Sequence, residues 1–379
     1  MPLLVASRRF MGVLVVGVLA ALLLSNLVPD PSGRGVWRGG QKPPDASWFQ
    51  LLHGRIQRVG FYFQDNFGFR ASLPLVRAGL RDAVDSQDTN IVYFGRNGQM
   101  FWAGERAPAQ SAGALVREEA VDRFVMLMAA MQRRLGPQGT QMVVAIPPNA
   151  QSVDLAELPK WQDALPPART EYSIMLEGLK ADGIPTVDLR KVLRESPEPR
   201  RYQPNDTHWT SMSSALAFNA IMVAAGHPDW QLDIASVIGP KAPTAIGDLA
   251  RTIRRAPVLP DENHTLILKD SPPQTPHPAL RLRHESPFFN GYSVRFAESG
   301  PRVLILGDSF TAGIWTRFFA HTPVAEAGWT HYSSSTLGSC DFDFADIERF
   351  DPDLLIIART ERMFPCFDDA WPANLPTPD

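Results

Sequence analysis

Short apolar runs that alternate with helical stretches are the feature that most constrains how this chain can fold. Each run is rich in Leu, Ile and Val at consecutive positions, which is typical of strands buried on both faces. The runs are MVVAI (142–146), IPTVDL (184–189), RVLIL (302–306) and DLLIIA (353–358). Helical stretches at 168–183 and 211–226 lie between them, and Thr210 could cap the second. The alternation predicts an α/β fold, a parallel sheet with helices on both faces.

Other regions of the chain also have interpretable patterns. Two apolar runs in IVYFGRNGQMFW (91–102) flank Asn97-Gly98, a strong turn signal, so we predict a hairpin there. A helix is predicted next, because one helical face collects Val121, Phe124, Val125, Met128, Met131 and Leu135. Residues 231–300 contain many prolines and no clean period. We expect them to form an irregular excursion from the sheet.

The N-terminus carries a targeting signal. Arg8 and Arg9 precede an uncharged apolar run, 10–28, which would span about 28 Å as a helix, roughly the bilayer core. By the positive-inside rule the N-terminus stays cytoplasmic and the rest is exported. An uncleaved anchor is favoured over a cleaved signal peptide, because no clear small-residue cleavage site precedes VPDPSG. The Pro- and Gly-rich segment 29–46 is then a linker, and 47–379 the exported domain.

Composition narrows the classes of partner. The formal net charge is −3, so no basic field is present to attract nucleic acid. Neither a C-x-x-C pair nor an H-E-x-x-H motif occurs, and we expect no metal and no cofactor. Cys340 and Cys366 could form a disulfide in an oxidising compartment or remain two free thiols.

Ser309 follows one of the predicted strands. The strand ends near Gly307, Asp308-Ser309 come next, and a helical stretch is predicted to begin there. This position lies at the carboxyl edge of the sheet, where open α/β folds bind ligands. The N–H groups of a helix N-terminus would stabilise an oxyanion. Ser309 is therefore a candidate nucleophile, and the alternative is that it only caps the helix.

Asp206 and His208 are two residues apart in NDTHW (205–209). In an extended backbone their side chains would project to the same side. The carboxylate could then accept from one imidazole nitrogen and leave the other as a base. A solvated loop is the alternative. Because Ser309 would supply the nucleophile that this pair needs, we expect the three residues to act together.

Aromatic residues adjoin both elements. Trp209 follows His208, Phe310 follows Ser309, and Trp315 lies in the stretch beyond it. Aromatic faces suit sugar rings, so the three are candidates for substrate binding. Burial in the core is the alternative.

A series of sequence blocks points to a known family. The blocks are FQDNFGFR (63–70), VYFGRNGQMFW (92–102), AIPPNAQSV with ELP (145–159), NDTHW (205–209), IGDLA (246–250), LILGDSF (304–310) and PDLLIIARTER (352–362). In this order the chain resembles the SGNH-hydrolase-like family of periplasmic polysaccharide O-acetyltransferases of the AlgJ/AlgX type. The resemblance covers about residues 60–362, nearly the whole exported part.

The resemblance implies a flavodoxin-like SGNH fold and a triad of Ser309, His208 and Asp206. In this family the Asp and His precede the serine, the reverse of ordinary SGNH esterases, and this sequence has that order. Three positions depart from the family pattern. Asp308 and Phe310 stand where alginate-acetylating members usually have Thr and Tyr, and Ala150 stands where the P-P-x-K segment has Lys. These departures bear on the polysaccharide more than on the chemistry.

The resemblance also implies an activity and its setting. We expect an exported enzyme, anchored in the bacterial inner membrane and facing the periplasm. It would move acetyl groups onto hydroxyls of an alginate- or cellulose-like exopolysaccharide through an acetyl-serine, with a membrane-bound acyltransferase supplying them. Backbone N–H groups near Ser309, with 325–330 as a second source, would hold the oxyanion. The alternatives are a carbohydrate acetylesterase with the same triad and a non-catalytic polysaccharide-binding or assembly protein.

Overall fold

The structure is a computed structural model. It describes residues 91–159, 169–254, 257, 259–269, 272–280, 291–333, 339–366 and 369–377, with single residues at 16, 17, 20 and 48. The chain divides into two compact units, Met1–Gln87 with Arg251–Ala256, and Asp88–Ala250 with Pro257–Asp379. The elements below belong to the second unit, except that one helix ends in the first.

Most of the N-terminal predictions lie outside the described residues. These are the anchor at 10–28, of which only three residues are described, the linker at 29–46 and the FQDNFGFR block at 63–70. Within the described part of the chain, no helix combines the length and the apolar character needed to cross a membrane.

A seven-stranded sheet forms the centre of the second unit, with strand order β4-β3-β11-β9-β10-β8-β7. Its strands are β3 (Gln141–Ala145), β4 (Thr186–Val187), β7 (Thr275–Pro276), β8 (Tyr292–Arg295), β9 (Arg302–Gly307), β10 (Glu326–His331) and β11 (Leu354–Ala358). The five strands from β4 to β10 pair in parallel. The strands β8 and β7 continue the sheet in antiparallel fashion. The α/β fold is confirmed, but the sheet is mixed rather than purely parallel.

Two smaller hairpins accompany the sheet. The strands β1 (Val92–Phe94) and β2 (Met100–Trp102) form the hairpin predicted around Asn97-Gly98, and both turn residues have positive φ, 58° and 85°. The strands β5 (Ile238–Pro243) and β6 (Glu262–Leu266) form a second hairpin inside the predicted excursion. The same 231–300 region also supplies β7 and β8 to the main sheet. Its periodicity is weak because these strands are short and partly exposed.

The described helices are mostly short. Their bounds are α1 (Ala107–Ser111), α2 (Glu118–Leu135), α3 (Glu171–Ala181), α4 (Leu189–Arg194), α5 (Ser211–Ala224), α6 (Ile234–Val237), α7 (Asp248–Ile253), α8 (Trp315–Phe318) and α9 (Phe344–Phe350). The predicted Thr210 cap is confirmed, since its hydroxyl accepts from the Ser213 N–H. The strand expected at 184–189 is shortened. Asp188 caps α4 through the N–H groups of Arg190 and Lys191, so the chain turns into a helix.

Helices cover both faces of the sheet, as the sequence predicts. Successive residues of each central strand point to opposite faces, so Ile305 enters one core cluster and Leu304 the other. The first cluster is completed by α4, α5 and α8, and the second by α2, α3 and α9. Both layers consist of large apolar side chains, which makes the sheet a rigid support for the loops at its edge.

The parallel register brings the carboxyl ends of the central strands together. Ala358 pairs with both Gly307 and Ala145, and His331 pairs with Gly307. The residues that follow β3, β9, β10 and β11 therefore meet at one edge of the sheet. This is the edge where open α/β sheets hold ligands.

Cys340 and Cys366 form a disulfide, with their Cα atoms 5.7 Å apart. Cys340 is fully buried and Cys366 nearly so. The bond ties the segment that follows β10 to the segment that follows β11. The choice that the sequence left open is thus decided in favour of the bridge.

We expect the Cys340→Ala/Cys366→Ala double variant to unfold more readily than the wild type. The bridge closes a loop with a sequence separation of 26 residues. The chain-entropy model assigns such a loop about 3.5 kcal/mol, because the bond restricts the unfolded chain. Urea unfolding followed by far-UV circular dichroism measures the difference. Wild type in a reducing agent is the control and should lose a similar amount, and equal midpoints for all three samples would contradict the expectation.

Candidate active site

Ser309 lies in a tight turn directly after β9. Gly307, the last residue of the strand, has no room for a side chain, since a Cβ there would lie 2.3 Å from Thr311 Oγ1. The buried carboxylate of Asp308 fastens the turn. Its Oδ1 accepts from the Phe310 N–H (3.0 Å), and its Oδ2 accepts from the Thr360 N–H (2.8 Å) and hydroxyl (2.6 Å). Thr360 follows β11, so Asp308 joins the ends of two neighbouring strands.

The helix predicted to begin at Ser309 is not there. The chain continues through turns, and α8 begins only at Trp315. The N–H groups of Thr311 and Ala312 both donate to the Asp308 carbonyl oxygen, and Gly313 has φ 74°. A helix N-terminus therefore does not face Ser309. Of the N–H groups of residues 309–312, only that of Ser309 has no hydrogen-bond acceptor among the described contacts, which leaves it available to an oxyanion.

The prediction that residues 325–330 supply N–H donors to the oxyanion is wrong. Most of this stretch is β10, which lies inside the sheet between β9 and β8. Ladder hydrogen bonds to the two neighbours occupy its backbone groups.

The NDTHW segment forms a narrow loop. Tyr202 and Trp209 form an antiparallel bridge, and the Gln203 N–H donates to the His208 carbonyl oxygen. The loop is closed by the Asp206 N–H, which donates to the Gln203 carbonyl oxygen. At its tip, the His208 N–H donates to Asp206 Oδ1 (2.9 Å). This places both functional side chains of the segment on the same side of the loop.

Asp206, His208 and Ser309 form one hydrogen-bonded chain. His208 Nδ1 lies 2.6 Å from Asp206 Oδ1, and His208 Nε2 lies 3.0 Å from Ser309 Oγ. Because the carboxylate can only accept, it selects the imidazole tautomer with the proton on Nδ1. His208 Nε2 is then free to accept the Ser309 proton. The structure brings together all three residues that the sequence analysis singled out.

The charge state of Asp206 follows from its contacts. Burial by itself would raise the pKa of this carboxyl, but hydrogen bonds from the His208 ring and from two backbone N–H groups outweigh it. The pKa of Asp206 is therefore lowered, and the group is ionised at neutral pH. His208 stays partly open to solvent, with 30% of its side chain exposed. A donor or acceptor molecule can thus approach the base.

Asp248 and Thr207 are parts of the site that the residue patterns did not reveal. Asp248 accepts from the Thr207 N–H (2.7 Å) and from the Thr207 hydroxyl (2.6 Å). Its own N–H donates to Asp206 Oδ2 (3.0 Å). The IGDLA block at 246–250 was noticed only as part of the family resemblance. Its spacing to NDTHW contains no signal of this contact, because about 40 residues separate the two segments.

Gly247 and Asp261 hold the base of the same loop. A Cβ on Gly247 would lie 2.1 Å from the Asn205 carbonyl oxygen, so the two backbones touch. Asp261 Oδ1 accepts from the Asn205 N–H (3.1 Å) and amide (3.0 Å), and Asp261 Oδ2 accepts from the Gly247 N–H (2.8 Å). One carboxylate therefore clamps both segments.

The three aromatic residues predicted to bind substrate are core residues, and that prediction is wrong. Trp209, Phe310 and Trp315 are 4%, 1% and 0% exposed. Trp209 stacks on Trp315 and meets the Phe310 ring edge-on. The Trp209 indole also donates to the Phe310 carbonyl oxygen (3.2 Å), which joins the His208 loop to the Ser309 turn. They pack the His208 loop and the Ser309 turn against each other, since a side chain buried on all sides cannot touch a polysaccharide.

Among the described residues, one group has ligand atoms close enough together to hold a metal ion. It consists of Asp206, His208 and Asp248, whose ligand atoms lie within 4.8 Å of one another. All four of their carboxylate oxygens already accept hydrogen bonds from N–H or hydroxyl groups. An ion would have to displace these donors. The arrangement fits an oriented base better than a metal centre.

Comparison with known proteins agrees with this geometry. Residues 92–320, more than half of the chain, match the family model described as SGNH hydrolase-like domain, acetyltransferase AlgX. The chain belongs to this family. No curated protein matches the sequence significantly.

Solved structures share the fold of this AlgX-family member. PatB1 of Bacillus cereus with a sulfonyl adduct is similar at a TM-score of 0.53 and 10% identity, over 74% of this chain and 97% of that one. A second PatB1 structure has a TM-score of 0.51 and 11% sequence identity, over 72% of this chain and 96% of that one. The O-acetyltransferase domain of Pseudomonas putida AlgJ has a TM-score of 0.49 and 17% sequence identity, over 74% of this chain and 94% of that one. At these identities the PatB1 structures support the fold alone.

Gly247→Ala should disable the site while leaving most of the fold in place. The new Cβ would meet backbone atoms of Asn205 and Asp206, which cannot rotate away. Displacing Asp206 by even 1 Å is expected to reduce turnover about 10²-fold. Hydrolysis of 4-nitrophenyl acetate measures the loss. Gly136→Ala, where a Cβ has open space, is the matched control, and equal rates for both variants would refute the expectation.

Asp154 lies beneath the same loop and should make stability depend on pH. The pKa of this carboxyl is raised to about 7, chiefly by burial and also by the negative charge of Glu157. The positive charge of Arg201 and a hydrogen bond from the Tyr202 N–H act in the opposite direction. The folded protein holds this proton more tightly than the unfolded chain does. The contribution of Asp154 to the free energy of unfolding is therefore fully present below pH 3.8 and is lost as the pH rises through about 7.

We therefore expect Asp154→Asn to be about neutral at pH 4 and stabilising by about 2–4 kcal/mol at pH 8. Urea unfolding of both proteins across this pH range measures the difference. Asp182→Asn, at an exposed position after α3, controls for the loss of one charge. A wild-type-minus-variant difference that stays constant with pH would contradict the expectation.

Proposed function

We propose that this AlgX-family member transfers acetyl groups onto hydroxyls of an exported polysaccharide through an acetyl-Ser309 intermediate. The observation that carries the proposal is the hydrogen-bonded chain from Asp206 through His208 to Ser309. The family supports an acetyltransferase activity of the SGNH type. The geometry supplies a nucleophile, a base and an orienting carboxylate in the order that acyl transfer requires.

In the first half-reaction His208 Nε2 removes the proton from Ser309 Oγ, which attacks the carbonyl carbon of an acetyl donor. The oxyanion that forms is stabilised by the Ser309 N–H. When the tetrahedral intermediate collapses, His208 returns its proton to the leaving group. The product is Ser309 carrying the acetyl group, and Asp206 stabilises the imidazolium that exists in between.

In the second half-reaction a sugar hydroxyl replaces the donor. His208 removes its proton, the sugar oxygen attacks the acetyl carbonyl, and Ser309 Oγ leaves with the proton from His208. The acetyl group is moved without a cofactor. Water can enter the same pathway, because His208 is partly exposed. A carbohydrate acetylesterase is therefore the second candidate, and the identity of the acceptor separates the two.

The cellular setting is part of the proposal. The apolar run 10–28 after Arg8 and Arg9 would anchor the chain in the inner membrane, with the SGNH domain in the periplasm. The Cys340–Cys366 bridge supports an oxidising compartment. A membrane-bound acyltransferase would deliver acetyl groups to this domain. An alginate-like or cellulose-like polymer is the proposed acceptor.

Ser309→Ala tests the nucleophile directly. We expect release of 4-nitrophenol from 4-nitrophenyl acetate by the full-length protein in detergent to fall at least about 10³-fold, because the acyl intermediate cannot form. Ser236→Ala, at an exposed serine of α6, should retain wild-type activity. Wild-type turnover by Ser309→Ala would refute the mechanism.

The acceptor is tested with the wild-type protein, the same ester and an added oligosaccharide. Transfer is expected to exceed hydrolysis, and mass spectrometry of the oligosaccharide against acetate release gives the ratio. Mannuronate and cellulose oligomers compared side by side identify the class of polymer. Acetate release with no acetylated oligosaccharide from either class would favour the esterase.

A further inference from the structure

We propose that Asp248 is a positioning residue of this site, which holds Asp206 towards His208 and adds a second negative charge beside the His208 ring. The inference rests on the proposed function, because a positioning residue has meaning only if Ser309 reacts. It concerns a residue about 40 positions from NDTHW whose recorded contacts are with Asp206, Thr207 and His208 and not with Ser309.

The contacts of Asp248 form a reciprocal bracket around residues 206 and 207. Its backbone N–H donates to Asp206 Oδ2 at 3.0 Å. Its carboxylate accepts from the Thr207 N–H at 2.7 Å and from the Thr207 hydroxyl at 2.6 Å. The loop is thus held through the Asp206 side chain and through both the backbone and the side chain of Thr207.

The bracket determines the orientation of the Asp206 carboxylate. The terminal torsion of an Asp side chain is broad, so one hydrogen bond would leave the group free to rotate. Here Oδ2 is held by the Asp248 N–H, and Oδ1 is held by the His208 N–H. The lone pairs that remain on Oδ1 face His208 Nδ1 at 2.6 Å. The carboxylate is therefore oriented before any substrate binds.

The Asp248 carboxylate also acts on the charge of the base. Its Oδ2 lies 3.7 Å from His208 Nδ1, and the Thr207 hydroxyl lies between them, 3.3 Å from Nδ1. Two carboxylates therefore face the ring, Asp206 from its own loop and Asp248 from α7. On the Ser309 side, the Arg362 guanidinium lies 5.3 Å from the centre of the Phe310 ring, which is itself 5.0 Å from the His208 ring, and the Asp308 carboxylate accepts from the Phe310 N–H. The imidazolium formed during acyl transfer is stabilised by both carboxylates.

A helix-capping role does not account for these contacts. Asp248 is the first residue of α7, where a carboxylate often accepts from N–H groups of its own helix. Among the described hydrogen bonds, both of its oxygens accept from Thr207 and neither accepts from α7. The side chain turns away from the helix and towards the His208 loop.

Two variants separate the geometric effect from the effect of charge. Asp248→Asn keeps the backbone N–H and a hydrogen-bonding side chain but removes the charge. We expect kcat for 4-nitrophenyl acetate to fall about 10–100-fold with little change in KM.

Thr207→Val removes only the hydroxyl that bridges to Asp248. We expect kcat to fall by about tenfold with little change in KM, because one hydrogen bond to Asp248 is lost while both carboxylates stay in place. Thr207→Ser restores the hydroxyl and should restore activity. Thr244→Val is the matched control. It removes an exposed hydroxyl that binds Gln203 rather than Asp248, and it should leave kcat and KM unchanged.

The outcomes distinguish this inference from the proposed function. If Ser309→Ala retains wild-type turnover, the proposed function is wrong and the positioning role falls with it. If Ser309→Ala is inactive while Asp248→Asn and Thr207→Val keep the wild-type kcat, only the positioning role is overturned. A loss of kcat in Asp248→Asn that matches a loss of folded protein in urea unfolding overturns it as well.

Discussion

The buried carboxylate of Asp308 is the interaction on which the site depends. It accepts from the backbone of the Ser309 turn and from Thr360 at the end of the neighbouring strand. A buried carboxylate is costly unless it is satisfied, so this group tolerates only the arrangement in which the turn after β9 meets the end of β11. Ser309 is thereby attached to the rigid centre of the sheet rather than to a free loop.

The His208 loop is the complementary part, and it is held by contacts from several elements. The Trp209 indole joins it to the Phe310 carbonyl oxygen, and Asp261 joins its base to Gly247. The hydrogen-bonded chain to Ser309 forms because both segments are separately immobilised. The same packing explains why Trp209, Phe310 and Trp315 are buried. These aromatic residues support the His208 loop and the Ser309 turn from the core side.

Much of the fold and part of the site could be predicted from local patterns. The apolar runs at 302–306 and 353–358 become central strands, and Asn97-Gly98 forms the expected hairpin turn. The pair Asp206 and His208 was recognisable because its spacing is only two residues. Predictions failed where a distant contact decides the outcome. After Ser309 the chain makes only one turn before Gly313, whose φ of 74° is outside the helical region, and the strands β7 and β8 are too short to give a period.

What the sequence determined by itself was the set of chemical groups and their order along the chain. Local periodicity depends on which face of an element meets the core, and every residue carries that information in its own polarity. Only the tertiary structure decided that His208 lies 3.0 Å from Ser309, that Asp248 binds Asp206 and Thr207, and that Cys340 pairs with Cys366. Contacts of this kind join residues far apart in the chain. They depend on strand order and register, which no local pattern of residues records.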